Sequence, residues 1–318
     1  MFRCAILDDY QDCALRFAHW PSLDNVSVQN FTAHILPNQI AFELAGFDVV
    51  VAMRERTVFD ASVLASLPAL KLLITMGMKN SAIDLDAAKR LGVIVSGTQS
   101  LPYPAPELTW ALLLGLLRHL PAEVASLRHG GWQRQVGVGL NGKTLGIVGL
   151  GRIGKRMARI AKAFDMSVLA WQPTNSDRAC ASAEVECAHS LNDLMRRSDI
   201  VTVHMVLADS TRGLIGPEQF SLMKPSALLV NSSRGAIVDE AALIEALVQN
   251  RIAGAALDVF DKEPLPPEHP FRTMRNVLAS PHLGYVTEEN YRLFYGQAVE
   301  DIKAWQSGSP LRVLTEME

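Results

Sequence analysis

Three side chains of this sequence can together hold and protonate an anionic carbonyl compound. Arg234 stands in Asn231-Ser-Ser-Arg-Gly235, Glu263 in Asp258-Val-Phe-Asp-Lys-Glu-Pro264, and His282 in Ser280-Pro-His282. A guanidinium grips a planar carboxylate with paired hydrogen bonds that an ammonium cannot match, which suits Arg234 to a substrate carboxylate and its neighbouring carbonyl oxygen. An imidazole titrates near neutral pH and can give and take a proton, the property His282 needs as acid and base. A carboxylate bonded to that ring, Glu263, would stabilise its charged form and fix its orientation. Taken singly, each motif also reads as loop or turn chemistry. Their shared position just beyond predicted strand ends outweighs that, because ligands of doubly wound sheets bind along that edge.

A fourth stretch, Gly149-Leu-Gly-Arg-Ile-Gly154, leaves the apolar run Leu145–Leu150 and opens a helical pattern over Arg152–Phe164, the context of a dinucleotide fingerprint. Gly149 permits a tight turn, Gly151 lets the backbone approach a pyrophosphate, and Gly154 lets the helix close on the strand. The helix start, with the N–H groups of Arg152 and Ile153, faces the phosphates with its positive dipole end. At the end of the next strand, where an acid would take the adenosine ribose hydroxyls, Leu169-Ala-Trp-Gln-Pro173 places Gln172. An amide bonds a hydroxyl without repelling a 2′-phosphate, and Asn175 and Arg178 lie just beyond. The cofactor expected is therefore NAD or NADP, NADP being accepted because Gln172 stands where the ribose-binding acid is usual.

The elements that must position these groups read as α/β throughout. Short apolar runs at Cys4–Leu7, Val49–Met53, Leu70–Met76 and Val93–Ser96 alternate with helical stretches such as Ser62–Leu67 and one beginning near Asp84, the pattern of a parallel sheet. Pro102, Pro104 and Pro106 then mark a hinge or the first turn of a helix, and a strongly apolar helix is expected over Glu107–His119. Five glycines from Gly130 to Gly142 mark an irregular loop. A second unit runs strand Leu145–Leu150, strand Ser167–Trp171, helix Ser190–Arg197, strand Ile200–Met205, and strands Ala227–Asn231, Gly254–Val259 and Val277–Ala279. A last helix over about Thr287–Gln306 is expected to pack back on the amino-terminal part.

Composition excludes several function classes. The 318 residues are 49% hydrophobic, enough for two domains with their own cores. The net charge of −3 comes from 30 basic and 33 acidic residues well interspersed, leaving no basic stripe for nucleic acid and no basic amphipathic helix for a membrane surface. No apolar run approaches a bilayer span. Cys4, Cys13, Cys180 and Cys187 form no Cys-x-x-Cys pair, which points to reduced thiols in a cytosolic protein and away from a metal site.

With Ser198-Asp-Ile-Val-Thr-Val-His204, Met223-Lys-Pro-Ser-Ala-Leu-Leu-Val-Asn-Ser-Ser-Arg-Gly235 and Ala256-Leu-Asp-Val-Phe-Asp-Lys-Glu-Pro264 added to the two stretches around Gly149 and His282, the chain resembles the D-isomer-specific 2-hydroxyacid dehydrogenases over essentially its whole length. The resemblance implies two doubly wound parallel-sheet domains: a Rossmann NAD(P)-binding domain (102–284) inserted into a discontinuous, flavodoxin-like substrate domain (1–101 and 285–318). It implies Arg234, Glu263 and His282 as the catalytic trio, Asp258 near the nicotinamide carboxamide, Ser232 and Ser233 lining the cofactor cleft, and a homodimer. Departures from the family pattern fall at Gln172, at Val206 where a proline is usual, and in the loop Gly77-Met-Lys-Asn-Ser-Ala-Ile-Asp84. There Met78 and Lys79 face the substrate in the implied arrangement, Lys79 standing where a glycine is usual. Tyr285 replaces a small residue, and Arg54 resembles a family arginine that lines the same cleft. The expected activity is hydride transfer between the nicotinamide and a small 2-oxo or D-2-hydroxy acid, such as glyoxylate or hydroxypyruvate. Two alternatives stand beside it: a nucleotide-sensing protein of the corepressor kind, which has no evident need of the full trio, and oxidation of 3-phosphoglycerate.

Overall fold

Val49–Ala52, Leu72–Thr75, Ile200–Val203, Leu228–Asn231 and Gly254–Leu257 are buried at every position, as strands covered by helices on both faces must be. In the computed structural model, which describes residues 1–315, these runs belong to two sheets whose strand pairs are all parallel. The chain divides into two units, Met1–Leu101 with Val286–Glu318, and Pro102–Tyr285.

The first unit holds β1 (Phe2–Ile6), β2 (Val26–Asn30), β3 (Val49–Ala52), β4 (Leu72–Thr75) and β5 (Ile94–Gly97), in the order β2-β1-β3-β4-β5. The order changes direction between β1 and β3, the switch point of a flavodoxin-like sheet. Asp60 and Asp84 cap the helices Ala61–Ala65 and Leu85–Arg90, each accepting a backbone N–H in the first turn. The helix Glu288–Gln306, with Thr287 as its cap, lies against β4 and buries Phe294, Tyr295, Ala298 and Ile302. The sequence reading places no strand at Val26–Asn30. That edge strand carries Ser27, Gln29 and Asn30, so its apolar positions are too few to stand out.

The second unit holds β6 (Thr144–Val148), β7 (Ser167–Trp171), β8 (Glu186–Cys187), β9 (Ile200–Val203), β10 (Leu228–Asn231), β11 (Gly254–Leu257) and β12 (Val277–Ala279). Their order, β12-β11-β10-β9-β6-β7-β8, turns back between β6 and β9, the switch point of a Rossmann sheet. The apolar helix runs Pro104–Leu117, three residues ahead of its expected start, because Pro104 takes the first-turn position where its missing N–H costs nothing. It stops short of His119, which adopts φ +51, and a second helix, Leu120–Arg128, follows where the sequence reading has none. The helices Ser176–Ala183, Pro217–Leu222 and Glu240–Val248 are likewise additions to that reading. β11 ends at Leu257, two residues before the expected Val259, so Asp258 already belongs to the loop. Among the described residues no helix is long and apolar enough to cross a membrane.

Candidate active site

The glycine turn sits at the Rossmann switch point. Gly149, with φ +99, leaves β6, and a Cβ there would lie 2.7 Å from the carbonyl oxygen of His204, which leaves β9. Gly154 is as tightly held, since its Cβ would meet Gly149 O at 2.2 Å. Gly151, which precedes the helix Arg152–Ala163, differs: nothing stands within 4 Å of a Cβ built on it. The outer glycines thus serve close packing, while the central one keeps open the space before a helix start whose first N–H groups have no carbonyl within the helix. These residues fit a dinucleotide pyrophosphate.

Gln172 directly follows β7 and is tied to this turn. Its Oε1 accepts the Leu150 N–H at 3.2 Å, and its Nε2 donates to Thr174 O at 2.7 Å. Asn175 beside it is left-handed, and Arg178 lies in the helix Ser176–Ala183. Behind β9, burial pushes the His204 imidazole down to about 3, so it is neutral near pH 7 and shares a proton with Thr202 Oγ1 at 2.9 Å.

Arg234, Glu263 and His282 follow β10, β11 and β12, three adjacent strands of one sheet. The loop after β10 is fixed by its own polar groups. Asn231 Nδ2 donates to Arg234 O at 2.9 Å, the Ser233 N–H donates to Asn231 Oδ1 at 3.0 Å, Ser233 Oγ donates to Met205 O, and Ser232 Oγ meets Thr109 Oγ1 at 2.6 Å. Arg234 is extended, and its Nη1 donates to Ser233 O at 2.6 Å. Gly235 follows because nothing larger fits: a Cβ would lie 2.1 Å from the Phe260 carbonyl carbon. That contact presses the Arg234 loop against the loop that carries Glu263.

Glu263 is gripped at both oxygens. Oε1 accepts the Phe260 N–H at 3.0 Å, and Oε2 meets His282 Nδ1 at 2.5 Å. The acid and the imidazole are only 24% and 17% exposed, so the pair is shielded from bulk water yet reachable. His282 itself adopts φ +55, a left-handed conformation that costs a β-carbon residue roughly 1–2 kcal/mol. Asp258 holds the turn in that shape. Its Oδ1 accepts Ser280 Oγ at 2.6 Å and the Leu283 N–H at 2.7 Å, and its Oδ2 accepts the Gly284 N–H at 2.8 Å. Burial raises the Asp258 carboxyl, and these donors oppose the rise by favouring the charged form. Tyr285 is buried, and its ring meets that of His282 edge-on at 5.6 Å between centroids.

Arg54, Met78 and Lys79 belong to the first unit, beyond β3 and β4. Asn80 Nδ2 donates to Arg54 O at 2.7 Å and to Thr75 Oγ1 at 2.9 Å, and the Gly77 N–H donates to Thr98 Oγ1 at 3.1 Å. The Arg54 guanidinium lies along Gly77, 3.7 Å from where its Cβ would be, and Met78 and Lys79 are exposed at the tip of the loop.

The sequence reading missed Thr109 and named Gly235, Phe260 and Ser280 only as members of its motifs, without the roles they take here: these four hold Ser232, the Arg234 loop, Glu263 and Asp258. Asp258, which the resemblance sets near the nicotinamide, stands directly behind the apolar run Gly254–Leu257 and holds the His282 turn.

Residues 110–284 match the family model described as D-isomer specific 2-hydroxyacid dehydrogenase, NAD binding domain. A D-3-phosphoglycerate dehydrogenase of Methanocaldococcus jannaschii is 35% identical over 95% of this chain, which spans 57% of that protein's length. A glyoxylate reductase of Aeropyrum pernix is 40% identical over 78% of this chain and 77% of its own. The crystal structure of a phosphoglycerate oxidoreductase from Vibrio cholerae superposes with a TM-score of 0.92 at 34% identity, covering 97% of this chain and all of that one.

Proposed function

The chain belongs to the D-isomer-specific 2-hydroxyacid dehydrogenase family, and from that premise we propose that it interconverts a small 2-oxo acid and the corresponding D-2-hydroxy acid with a nicotinamide dinucleotide. The observation that carries the proposal is the Glu263–His282 contact of 2.5 Å at the carboxyl end of the sheet whose switch point bears the open glycine turn. The cofactor, when bound, supplies or accepts the hydride.

The chain's own residues do the rest. Arg234 binds the substrate carboxylate and carbonyl oxygen through its planar fork. His282 gives a proton to the carbonyl oxygen in reduction and takes it back in oxidation, and Glu263 holds the ring in place and stabilises its charged form. Asp258 keeps His282 in its left-handed turn. Ser232 and Ser233, anchored by Thr109 and Met205, shape the loop beside the nucleotide. Tyr285, packed edge-on against His282, contributes to substrate selection. Gly149, Gly151, Arg152, Ile153 and Gly154 cradle the pyrophosphate.

NADP serves as well as NAD or better, because Gln172 presents no carboxylate to a 2′-phosphate and Arg178 stands nearby. A steady-state preference for NADH over NADPH would contradict this. The working protein in this reading is a cytosolic homodimer. The test is oxidation of NADPH or NADH, followed by absorbance, on adding glyoxylate, hydroxypyruvate or the 3-phosphate of hydroxypyruvate. Turnover with the unphosphorylated acids is expected. Turnover with the phosphorylated acid alone would favour a second reading, dehydrogenation of 3-phosphoglycerate, which the Methanocaldococcus relative's name supports. Nucleotide binding without turnover of any of them would contradict both.

A further inference from the structure

Beside the turn that ends β7, two thiols stand together that the proposed chemistry does not use. Cys180 lies in the helix Ser176–Ala183, buried at 3% exposure, and Cys187 lies in β8 seven positions later. Both address the same residue of β7: Ala170 is the register partner of Cys187, and its carbonyl accepts the Cys180 thiol at 3.8 Å. Both belong to one hydrophobic cluster, Cys180 in its buried part and Cys187 packed against it. Cys187 has a second link. Its thiol donates to Ser176 Oγ at 3.2 Å, and that oxygen accepts the Gln172 N–H at 3.3 Å.

We propose that Cys180 and Cys187 form a reversible disulfide when exposed to a hydroperoxide, and that the bond loosens the Gln172–Ser176 turn and weakens nucleotide binding there. In the first step the half-buried Cys187 sulfur attacks the O–O bond of hydrogen peroxide, becoming a sulfenic acid and releasing water. In the second, the Cys180 sulfur attacks the Cys187 sulfur and displaces the hydroxyl, which leaves as water with the Cys180 proton. Two thiols are oxidised and one peroxide is reduced to two waters. The order follows from exposure: Cys187 is half-buried, whereas Cys180 is 3% exposed and its burial pushes the thiol up to about 12 and keeps it protonated. A disulfide requires the sulfurs to close to about 2.05 Å. Cys187 must therefore turn toward Cys180, and with its proton gone it no longer donates to Ser176. The turn holding Gln172, itself bonded to Leu150 of the glycine loop, loses that support. A dithiol of this kind suits a reducing compartment, where disulfides are transient.

The effect on nucleotide binding rests on the proposed function; the disulfide does not, and one experiment separates them. The full chain is treated with hydrogen peroxide, alkylated and digested with trypsin, which leaves both cysteines in the peptide Ala179–Arg196. The expected product is that peptide two hydrogens lighter and unalkylated, together with a several-fold rise in the NADPH dissociation constant read by tryptophan fluorescence. Dithiothreitol should reverse both changes, and Cys187→Ser should show neither. A doubly alkylated peptide, or a Cys187 carried on to sulfinic acid, would overturn the thiol pair. A disulfide with unchanged NADPH affinity would overturn the coupling. A reduced chain that binds no nucleotide would overturn the cofactor reading and the coupling with it, while the peptide mass would still decide the pair.

Discussion

Glu263 and His282 meet across nineteen positions of chain, carboxylate Oε2 to imidazole Nδ1 at 2.5 Å, because the strands that deliver them, β11 and β12, are neighbours in one parallel sheet. The acid is not a loose surface group: the Phe260 N–H holds its other oxygen at 3.0 Å. With Nδ1 engaged by the carboxylate, the proton exchange we propose falls to Nε2.

The glycine turn makes two opposite predictions. Gly154→Ala places a methyl 2.2 Å from Gly149 O and should cost about 1–3 kcal/mol of stability. Gly151→Ala meets nothing within 4 Å, so its unfolding temperature should match the wild type. Its NADPH affinity should still fall on the order of tenfold, about 1.4 kcal/mol, because the methyl occupies the space reserved for the pyrophosphate. Thermal melts and fluorescence titrations check both, and a Gly151→Ala chain that binds NADPH normally would contradict the cradle.

Gly235→Ala tests whether the Arg234 and Glu263 loops act as one assembly. The added methyl would lie 2.1 Å from the Phe260 carbonyl carbon, displacing the residue whose N–H holds Glu263. A stability loss of about 1–3 kcal/mol accompanied by a fall in kcat is expected. Unaltered kcat in the folded variant would show that the two loops are independent.

Arg234→Lys replaces a planar fork with a point charge. The Michaelis constant for the 2-oxo acid should rise on the order of 10–10²-fold, the scale of one or two lost charge-assisted hydrogen bonds, while NADPH affinity holds. A wild-type Michaelis constant would remove Arg234 from substrate binding.

His204 gives the fold an acid sensitivity. Burial lowers its pKa to about 3 in the folded chain, so between that value and about 6.5 the unfolded chain binds the proton and the folded chain does not. The stabilisation is complete above about pH 6.5 and is lost progressively as pH falls toward the folded value. On lowering the pH from about 7 to about 5, the wild-type melting temperature should therefore fall more than that of His204→Gln. Equal falls would contradict it.

Much of this was legible in the residues. Period and composition separate the strands that are buried on both faces, and the turn glycines and the trio stand at their carboxyl ends. The edge strand Val26–Asn30 was not legible, because half-polar edge strands carry little pattern. Helices such as Ser176–Ala183 and Leu120–Arg128 were missed because they are short and lack a continuous apolar face. Asp258 was placed beside the nicotinamide by resemblance, and the structure shows that carboxylate binding Ser280, Leu283 and Gly284, contacts of high sequence separation that no local spacing announces. Likewise, only the packed loops reveal that Gly235 is required by Phe260.

The proton exchange at His282 is tested most directly by steady-state oxidation of NADPH with the best 2-oxo acid, comparing the wild type with His282→Ala and measuring NADPH affinity on the same preparations. Turnover should fall on the order of 10²–10⁴-fold while affinity stays nearly unchanged. Unimpaired turnover in His282→Ala would contradict the account.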